Sequence, residues 1–300
     1  MTRAMRWLLV SYLALIVLIM VVAKISMTPD LFVLWGLVVA VILGRGLAFL
    51  RDWLPLVAIF VAWESARGLS QHLAARVQSD SVIMAERLFF FGIVPTEELQ
   101  RLWHDPARLT ALDLLMSAVY LAHFILPLGI GFLLWLRNRG LFFRYMTCLM
   151  VVSFAAFFTA IVLPVAPPRF SAQYGEALAV RDVMADTFAH LGSAPSSWLY
   201  GNINGNPVAA FPSLHAAYPL LAYLFVRSHR PSWAWPVLLY TLVVWFAIVY
   251  LGHHYVVDIF GGIAYAVVAY WLVSRSAGWD MARLDPRRWL RLRRPVVVPE

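Results

Sequence analysis

Long apolar segments dominate this sequence and set the strongest limit on its fold. Eight such stretches lie at about 6–23, 31–50, 53–69, 112–136, 141–164, 208–226, 233–251 and 256–274. A helix that crosses a bilayer needs about 20 predominantly apolar residues. These stretches are too long and too uniformly apolar for the strands of a membrane barrel. The sequence therefore predicts an all-α polytopic membrane protein with about eight transmembrane helices.

The composition agrees with this class and excludes others. Hydrophobic residues make up 62% of the 300 residues and charged residues 13%, whereas soluble domains have about 45–50% apolar and about 25% charged residues. Cys148 is the only cysteine in the sequence, which excludes a disulfide scaffold. The net charge of +8 would suit nucleic acid, but the basic residues follow the membrane topology. We expect no nucleic-acid partner.

The arginines predict the orientation of the helices. If the N terminus is inside, the inside segments of an eight-span chain hold most of the 24 basic residues. These are Arg3, Arg6, Arg45, Arg51, Arg137, Arg139, Arg144, Arg227, Arg230 and the seven arginines from Arg275 to Arg294. Cytoplasmic loops carry an excess of Lys and Arg, so both termini are predicted to be cytoplasmic. We expect an integral protein of a bacterial plasma membrane.

The spans and loops divide the chain into four parts. Residues 1–69 hold N-terminal transmembrane helices, 70–111 form an amphipathic interfacial segment, 112–275 form the main membrane core, and 276–300 form an Arg-rich cytoplasmic tail. The first apolar stretch has a second interpretation as a cleaved signal peptide, although it is long for one. The tail is predicted to anchor at an anionic leaflet, with specific lipid or nucleic-acid binding as the alternative.

Three predicted outer junctions carry residues that suit phosphoryl transfer. His215 lies at the start of span six, His254 and Asp258 at the start of span eight, and Arg169 at the end of span five. His254 and Asp258 are four residues apart, so they share a helix face. A carboxylate beside an imidazole fixes its tautomer and leaves the other nitrogen as base or nucleophile. Arg169 supplies a planar charged group that suits phosphate.

Pro212 suits the first position of a helix, where free backbone N–H groups near His215 would point at an anion. Taken singly, each residue has a structural alternative. His215 would be an ordinary interfacial residue, and the His254–Asp258 pair would be a structural hydrogen bond. Two histidines and an aspartate could also bind zinc, but the sequence shows no pattern of residues that would hydrogen-bond and orient such ligands. The site is predicted to need neither a metal nor a cofactor.

Two further pairs of ionisable residues within predicted spans call for an explanation. Glu64 and Arg67 are three residues apart and can pair, either as an interfacial ion pair or as part of a substrate site. Asp113 and His123 lie in the fourth span. Such residues are costly in a membrane, and they serve either function or helix–helix hydrogen bonding.

The motifs resemble those of a known family. Pro212-Ser213-Leu214-His215 and His254-Tyr255-Val256-Val257-Asp258 are similar to the second and third motifs of the phosphatidic acid phosphatase type 2 superfamily, Pro-Ser-Gly-His and Ser-Arg-x5-His-x3-Asp. The resemblance covers about residues 110–275 and selects His254 over His253. It implies a six-helix catalytic core with an extracytoplasmic site. There His254 attacks phosphorus to form a phosphohistidine, Asp258 orients His254, and His215 protonates the leaving group.

The sequence departs from these motifs in three places. Ala247-Ile248 replaces the Ser-Arg of the third motif, Leu214 replaces the Gly of the second, and Ala166-Pro167-Pro168-Arg169 stands where the first motif has Lys-x6-Arg-Pro. These departures resemble the inositol phosphorylceramide synthase and sphingomyelin synthase branch. We expect phosphate contacts from Arg169, Ser213 and Tyr255. Secondary contacts are expected from Glu64, Arg67 and His253.

The resemblance implies a lipid phosphotransferase that moves a phospho-headgroup, such as phosphoinositol, between a membrane lipid and a lipid alcohol. Hydrolysis of phosphatidate or an isoprenoid phosphate stays open, because water can replace the alcohol after an identical first step. A transporter or lipid-binding protein is the alternative from another class. It predicts broken helices near the bilayer midplane and related halves, and the sequence has no evident internal repeat.

Overall fold

Helices form nearly all the regular structure. The structure is a computed structural model that describes residues 29–69, 77–123, 125–175, 177–192 and 208–275, and the side chains among them except those of 29–31 and 64–69. In chain order the helices are α1 (Pro29–Ile42), α2 (Gly46–Leu69), α3 (Ser79–Phe89), α4 (Pro95–Trp103), α5 (Ala111–Ala122), α6 (Leu126–Arg137), α7 (Arg139–Val162), α8 (Ser171–Tyr174), α9 (Val183–His190), α10 (Leu214–His229), α11 (Ala234–Tyr250) and α12 (Val256–Arg275). Short 3-10 helices at Pro168–Phe170 and Pro231–Trp233 precede α8 and α11. The predicted all-α class is confirmed for this part of the chain.

The long helices identify an integral membrane protein. Four of the described helical segments are long and apolar enough to cross a membrane, and they correspond to α2, α7, α11 and α12. Together α5 and α6 pass the same test, bent by 43° between them, which gives a fifth candidate span. Eight spans therefore stay a prediction. The first apolar stretch, at 6–23, and the tail, 276–300, lie outside the described residues.

The predicted break between the second and third spans is wrong. The chain turns at Gly44, with a φ of 70°, and α2 then continues through Arg51 and Asp52. Asp52 is buried within the helix bundle because Arg139 donates two hydrogen bonds to its carboxylate, both at 2.6 Å, and Trp135 donates another at 3.0 Å. An ion pair from a distant segment thus allows the helix to continue through two charged residues.

The predicted span at 112–136 is a bent pair of helices and not one continuous helix. It is interrupted between α5 and α6, at His123 and Ile125. Pro127 lacks an N–H group, and in an unbroken helix its ring would clash with the carbonyl group of His123, four residues earlier. The interruption leaves the buried His123 side chain at the bend.

The helix α10 lies at the centre of the described bundle and packs against α7, α11 and α12. Apolar side chains of α2, α6, α7, α10 and α12 form one core cluster, and those of α5, α9 and α11 form a second. Gly262 of α12 lies against the start of α10, where a Cβ atom would be 2.3 Å from the carbonyl oxygen of Ser213. This close approach brings the starts of α10 and α12 side by side.

The predicted interfacial segment contains α3 and α4. In α3 the polar Ser79 and Glu86 are fully buried, whereas Met84, Leu88 and Phe89 are exposed. Phe91, just after the helix, is 96% exposed. A helix on the surface of a soluble protein has the opposite pattern, with its apolar stripe facing the core.

Candidate active site

The connection between α11 and α12 carries the candidate nucleophile. The amide groups of His253 and His254 both donate to the carbonyl oxygen of Ile248, at 2.9 and 3.1 Å, and so close the end of α11. Gly252 turns the chain with a φ of 79°, and a Cβ atom there would lie 2.8 Å from the carbonyl oxygen of Arg181. Only glycine fits this turn, which places His254 immediately before α12.

A continuous hydrogen-bonded chain joins the three residues that were predicted to be catalytic. Nδ1 of His254 lies 3.2 Å from Oδ2 of Asp258, and Nε2 of His254 lies 3.0 Å from Nδ1 of His215. The amide group of Tyr255 donates to the same Asp258 oxygen at 2.9 Å. When Nδ1–H of His254 donates to the carboxylate, Nε2 is the acceptor, and His215 donates to it.

The starts of α10 and α12 are joined by a backbone hydrogen bond. The amide group of Ser213 donates to the carbonyl oxygen of Asp258 at 3.0 Å. Ser213 is the N-cap of α10, since its hydroxyl oxygen accepts from the amide group of Ala216 at 3.2 Å. The prediction that Pro212 occupies the first helical position is therefore wrong, because the capping residue follows it. His215 becomes the second residue of α10.

Aromatic rings surround His215. The ring of Tyr120 stacks on it with centroids 4.9 Å apart, and the ring of His123 lies 4.7 Å away. The ring of His253 lies 4.4 Å from that of Tyr120. Burial, with the nearby charges of Arg169 and His254, holds the pKa of His253 well below its usual range. His253 is thus a neutral ring beside the His215–His254 pair.

Arg169 lies beside the connection that carries His254. Its amide group donates to the carbonyl oxygen of Gly252 at 3.1 Å. Its guanidinium Nε lies 3.3 Å from Oδ2 of Asp182, and its side chain is only 6% exposed. The Arg169 charge also contributes to the lowered pKa of His253. The guanidinium group is therefore close to the site and already paired with a carboxylate.

The other predicted contact residues are placed less directly. Tyr255 is fully buried in an apolar cluster with Ile83 and Ala210. The side chains of Glu64 and Arg67 lie outside the described residues. Within the described part of the chain, no group of three or more His, Cys, Asp or Glu side chains is arranged to hold a metal ion. The roles of all these contact residues stay predictions.

Two buried groups near the site were missed from the sequence. Glu86 of α3 accepts hydrogen bonds from the first backbone N–H groups of α12. His104 bridges Asp113 and Asp186, with its Nδ1 3.3 Å from one carboxylate and its Nε2 3.0 Å from the other. Tyr250 also donates to Asp113. His104 and Asp113 are nine residues apart, and each of the other contacts joins residues more than 80 positions apart, so local spacing gave no signal for them.

The chain is similar to three curated proteins over about half of its length. It is 27% identical over 171 residues to a phosphoinositol dihydroceramide synthase of Bacteroides thetaiotaomicron, a match over 53% of this chain and 54% of the relative. It is 29% identical over 176 residues to the inositol phosphorylceramide synthase catalytic subunit aur1 of Schizosaccharomyces pombe, over 53% and 39% of the two chains. An inositol phosphorylceramide synthase of Candida albicans is 27% identical over 172 residues, or 50% of this chain and 34% of the relative.

These matches thus span about half or less of the length of each relative. No solved structure matches the chain. The sequence pattern of the PAP2 superfamily matches residues 82–272, from α3 to near the end of α12. This region includes His215, His254 and Asp258, and it confirms the resemblance that their motifs predicted. The chain belongs to the PAP2 superfamily.

Proposed function

We propose that this protein is an enzyme that transfers a phospho-headgroup between membrane lipids through a phosphohistidine at His254. The hydrogen-bonded chain of Asp258, His254 and His215, with separations of 3.2 and 3.0 Å, carries the proposal. The three relatives are named as synthases of inositol phosphorylceramide or phosphoinositol dihydroceramide. Their names support phosphoinositol as the headgroup and a ceramide-type alcohol as the acceptor.

In the first step, the Nε2 lone pair of His254 attacks the phosphorus atom of a donor lipid. A nitrogen–phosphorus bond forms, and the bond from phosphorus to the oxygen of the departing lipid breaks. His215 acts as an imidazolium, gives one proton to that oxygen and becomes a neutral imidazole, so the departing lipid leaves as a neutral alcohol. Asp258 keeps the proton of His254 on Nδ1 and stabilises the positive charge that develops on the ring.

In the second step, His215 accepts the hydroxyl proton of the incoming lipid alcohol. The alcohol oxygen bonds to phosphorus, and the nitrogen–phosphorus bond breaks. This proton replaces the one that His215 gave up in the first step, and the lone pair returns to Nε2 of His254. Water in place of the alcohol completes the same step as hydrolysis, so access of the acceptor decides which reaction occurs.

The close contact of the two histidine rings requires movement during this cycle. Nδ1 of His215 lies 3.0 Å from Nε2 of His254, in the direction from which phosphorus must approach. Reacting atoms come within about 3–3.5 Å before attack. The phosphoryl group must therefore enter between the rings, and we infer that the His215 side chain rotates to admit it.

Positive groups near the two rings are suited to the phosphate oxygens. The amide groups of the first residues of α10, Leu214 and His215, belong to the helix terminus that attracts anions. Arg169 supplies a permanent positive charge beside the connection that carries His254, and it can turn from Asp182 toward phosphate. Such groups stabilise the charge on the equatorial oxygens, the main contribution expected in phosphoryl transfer.

We infer that the site faces the extracytoplasmic side and that α3 contacts lipid there. The site joins the end of α11 to the starts of α10 and α12, opposite the helix ends that carry Arg137, Arg139, Arg227 and Arg275. The exposed apolar face of α3 continues onto α12, because Phe89 and Phe260 rings lie 6.1 Å apart and both are exposed. Lipid tails are the partner that such a continuous apolar surface fits.

The proposal is tested with purified protein in detergent or vesicles. Wild type, His254→Ala and His215→Ala are each given phosphatidylinositol, phosphatidylcholine or phosphatidate, with and without a ceramide. Products are identified by mass spectrometry, and inorganic phosphate is measured in parallel. His229→Ala is a matched control, because His229 is exposed at the far end of α10.

A new headgroup-bearing ceramide, formed by wild type and His229→Ala but not by His254→Ala, is the expected result. Phosphate release without transfer would replace the transferase proposal by hydrolysis. Equal products from wild type and His254→Ala would overturn the assignment of the nucleophile.

A further inference from the structure

A buried carboxylate outside the recognised motifs caps the helix that carries Asp258. Glu86 is fully buried, and its two carboxylate oxygens accept hydrogen bonds from the amide groups of Val256 and Val257, each at 3.0 Å. These are the first two residues of α12. The amide groups of a first helical turn have no partner within the helix, and a negative charge there is favoured by the helix dipole.

Two carboxylates together occupy the start of α12. Asp258 accepts from the amide group of Tyr255, and Glu86 accepts from the next two amide groups. Because Glu86 satisfies those two donors, they do not compete with His254 for the Asp258 carboxylate. The cap also fixes the direction in which α12 begins, and the His254 backbone lies two residues before that point.

The setting of Glu86 is unusual for a residue whose only task is stability. Among the described residues it has no ion-pair partner, and the charged group that acts on it is Asp258, which is also negative. On the same helix, Val82 and Ile83 are buried in an apolar cluster that includes Tyr255, the residue before Val256. An unpaired buried carboxylate is costly even when backbone N–H groups bind it.

We propose that ionised Glu86 is a positioning residue, which caps α12 and thereby holds Asp258 and His254 in line with His215. This inference rests on the proposed phosphotransfer function and adds a residue to its machinery. Glu86 lies on α3, whose opposite face is the exposed apolar surface that contacts lipid in the proposed arrangement. The positioning contact therefore comes from the interfacial segment, outside the helices that carry the catalytic side chains.

The pH dependence follows from the protonation of Glu86. The pKa of the Glu86 carboxyl is raised from 4.5 to about 7, mainly by burial and also by the charge of Asp258, against the lowering effect of the two backbone hydrogen bonds. Protonation turns one of the two acceptor oxygens into a hydroxyl group that faces an N–H donor. Turnover is therefore expected to fall as the pH is lowered through about 7.

The stability of the fold should change in the opposite direction. Because the Glu86 pKa is higher in the folded protein, the folded state binds more protons than the unfolded state between pH 4.5 and about 7. The Glu86 contribution to stability is therefore complete below pH 4.5 and is lost as the pH rises through about 7. If Glu86 served only to stabilise the fold, activity would not depend on its ionised form, because ionisation of Glu86 destabilises the folded protein.

The test compares Glu86→Gln with wild type and with Glu97→Gln. Glu97 is the matched control, because its carboxylate also accepts from a backbone amide group, that of Ala179 at 2.7 Å, which lies between α8 and α9 and not in α12. Initial rates are measured from pH 5.5 to 8.5 with saturating and limiting donor lipid, and thermal unfolding is followed over the same range. The tautomer of His254 is read by 15N NMR of histidine-labelled protein.

We expect Glu86→Gln to lose about 10–100-fold in kcat, the usual effect of a supporting contact, with little change in KM. Its rate profile should lose the step near pH 7, and its His254 should lose the single Nδ1–H tautomer. Glu97→Gln should resemble wild type in all three respects. The inference would be overturned if Glu86→Gln kept the wild-type kcat, pH profile and His254 tautomer. If Glu86→Gln does not fold, Glu86→Asp replaces it, and a folded Glu86→Asp with no pH step would also overturn the inference.

The two proposals fail separately in this experiment. If wild type neither transfers nor hydrolyses any lipid phosphate, the proposed function fails. The NMR measurement still decides the positioning contact in that case, because the tautomer of His254 does not depend on turnover. An unchanged tautomer in Glu86→Gln would then reject the role of Glu86.

Discussion

Asp258 is a buried carboxylate that contacts both the backbone and the candidate nucleophile. It is completely buried, and its Oδ2 atom accepts from the Tyr255 amide group at 2.9 Å and faces Nδ1 of His254 at 3.2 Å. Hydrogen bonds to an ionised acceptor are about twice as strong as neutral ones. These bonds hold His254 in the tautomer whose Nε2 atom is free to accept, which is the form a nucleophile requires.

Asp258→Asn tests this role at nearly constant shape. An Asn oxygen in the place of Oδ2 keeps both contacts but lacks the negative charge that stabilises the His254 ring during attack. An Asn NH2 group in that place would face the Tyr255 N–H and favour the wrong tautomer of His254. We expect kcat to fall by about 10³–10⁴-fold, with the thermal midpoint nearly unchanged. A stably folded Asp258→Asn with wild-type kcat would show that the carboxylate does not orient His254.

Sequence reasoning identified the His254–Asp258 pair because the two residues are only four positions apart, and helix geometry converts that spacing into contact. His215 and Arg169 were identified from the predicted topology, which places the ends of their spans at the same membrane face as His254, and the motif resemblance then gave His215 its role. Glu86 was missed because its partners, Val256 and Val257, are 170 and 171 residues away. From sequence alone, a glutamate in an amphipathic segment is predicted to lie on the surface, and only the tertiary structure shows that Glu86 is buried.

At the scale of elements, α7, α11 and α12 were predicted to within two residues at each end because uniform apolar runs define them. The errors arose where tertiary contacts override local composition. Arg139 neutralises Asp52 within α2, which a sequence pattern cannot show. The break before α6 had a local signal in Pro127 that the apolar run concealed.

At Gly262, α10 and α12 can approach closely because glycine has no side chain. In Gly262→Ala the new Cβ atom would lie 2.3 Å from the carbonyl oxygen of Ser213 and 3.0 Å from the Cβ atom of Ala216. Since backbone must shift, we expect a loss of about 1–3 kcal/mol in stability and at least a tenfold loss of transfer activity. Thermal unfolding and initial rates measure the two effects.

Gly129→Ala is the matched control for that substitution. Gly129 lies in α6, and its Cβ atom would meet only Phe32, at an ordinary contact distance of 3.9 Å. We expect wild-type activity and stability from it. Equal behaviour of the two variants would contradict the view that close contact of α10 and α12 assembles the site.

At the scale of the whole molecule, the described helices have two chemically different ends. One end carries Arg45, which donates to the carbonyl oxygen of Leu136, and Arg139, which pairs with Asp52. The other end carries the His215–His254 pair and the segment of α3 and α4. The excess of arginine at the end opposite the site supports the proposed extracytoplasmic site.

Cysteine labelling tests this orientation directly. Cys148 is the only native cysteine and is fully buried, so background labelling should be low. Arg108→Cys lies in the exposed connection before α5, and Ser228→Cys lies at the far end of α10. A membrane-impermeant maleimide should label Arg108→Cys in intact cells, and Ser228→Cys only after permeabilisation. The reverse pattern would invert the proposed topology.

The central claim is the covalent bond between His254 and the transferred phosphate. Wild-type protein is mixed with a donor phospholipid in the absence of any lipid alcohol, quenched in alkali to preserve phosphohistidine, and digested for peptide mass spectrometry. We expect the peptide with His254 to gain the mass of the phospho-headgroup, and added ceramide to remove this mass and yield the new lipid. Transfer by a protein that never carries the adduct on His254 would contradict it.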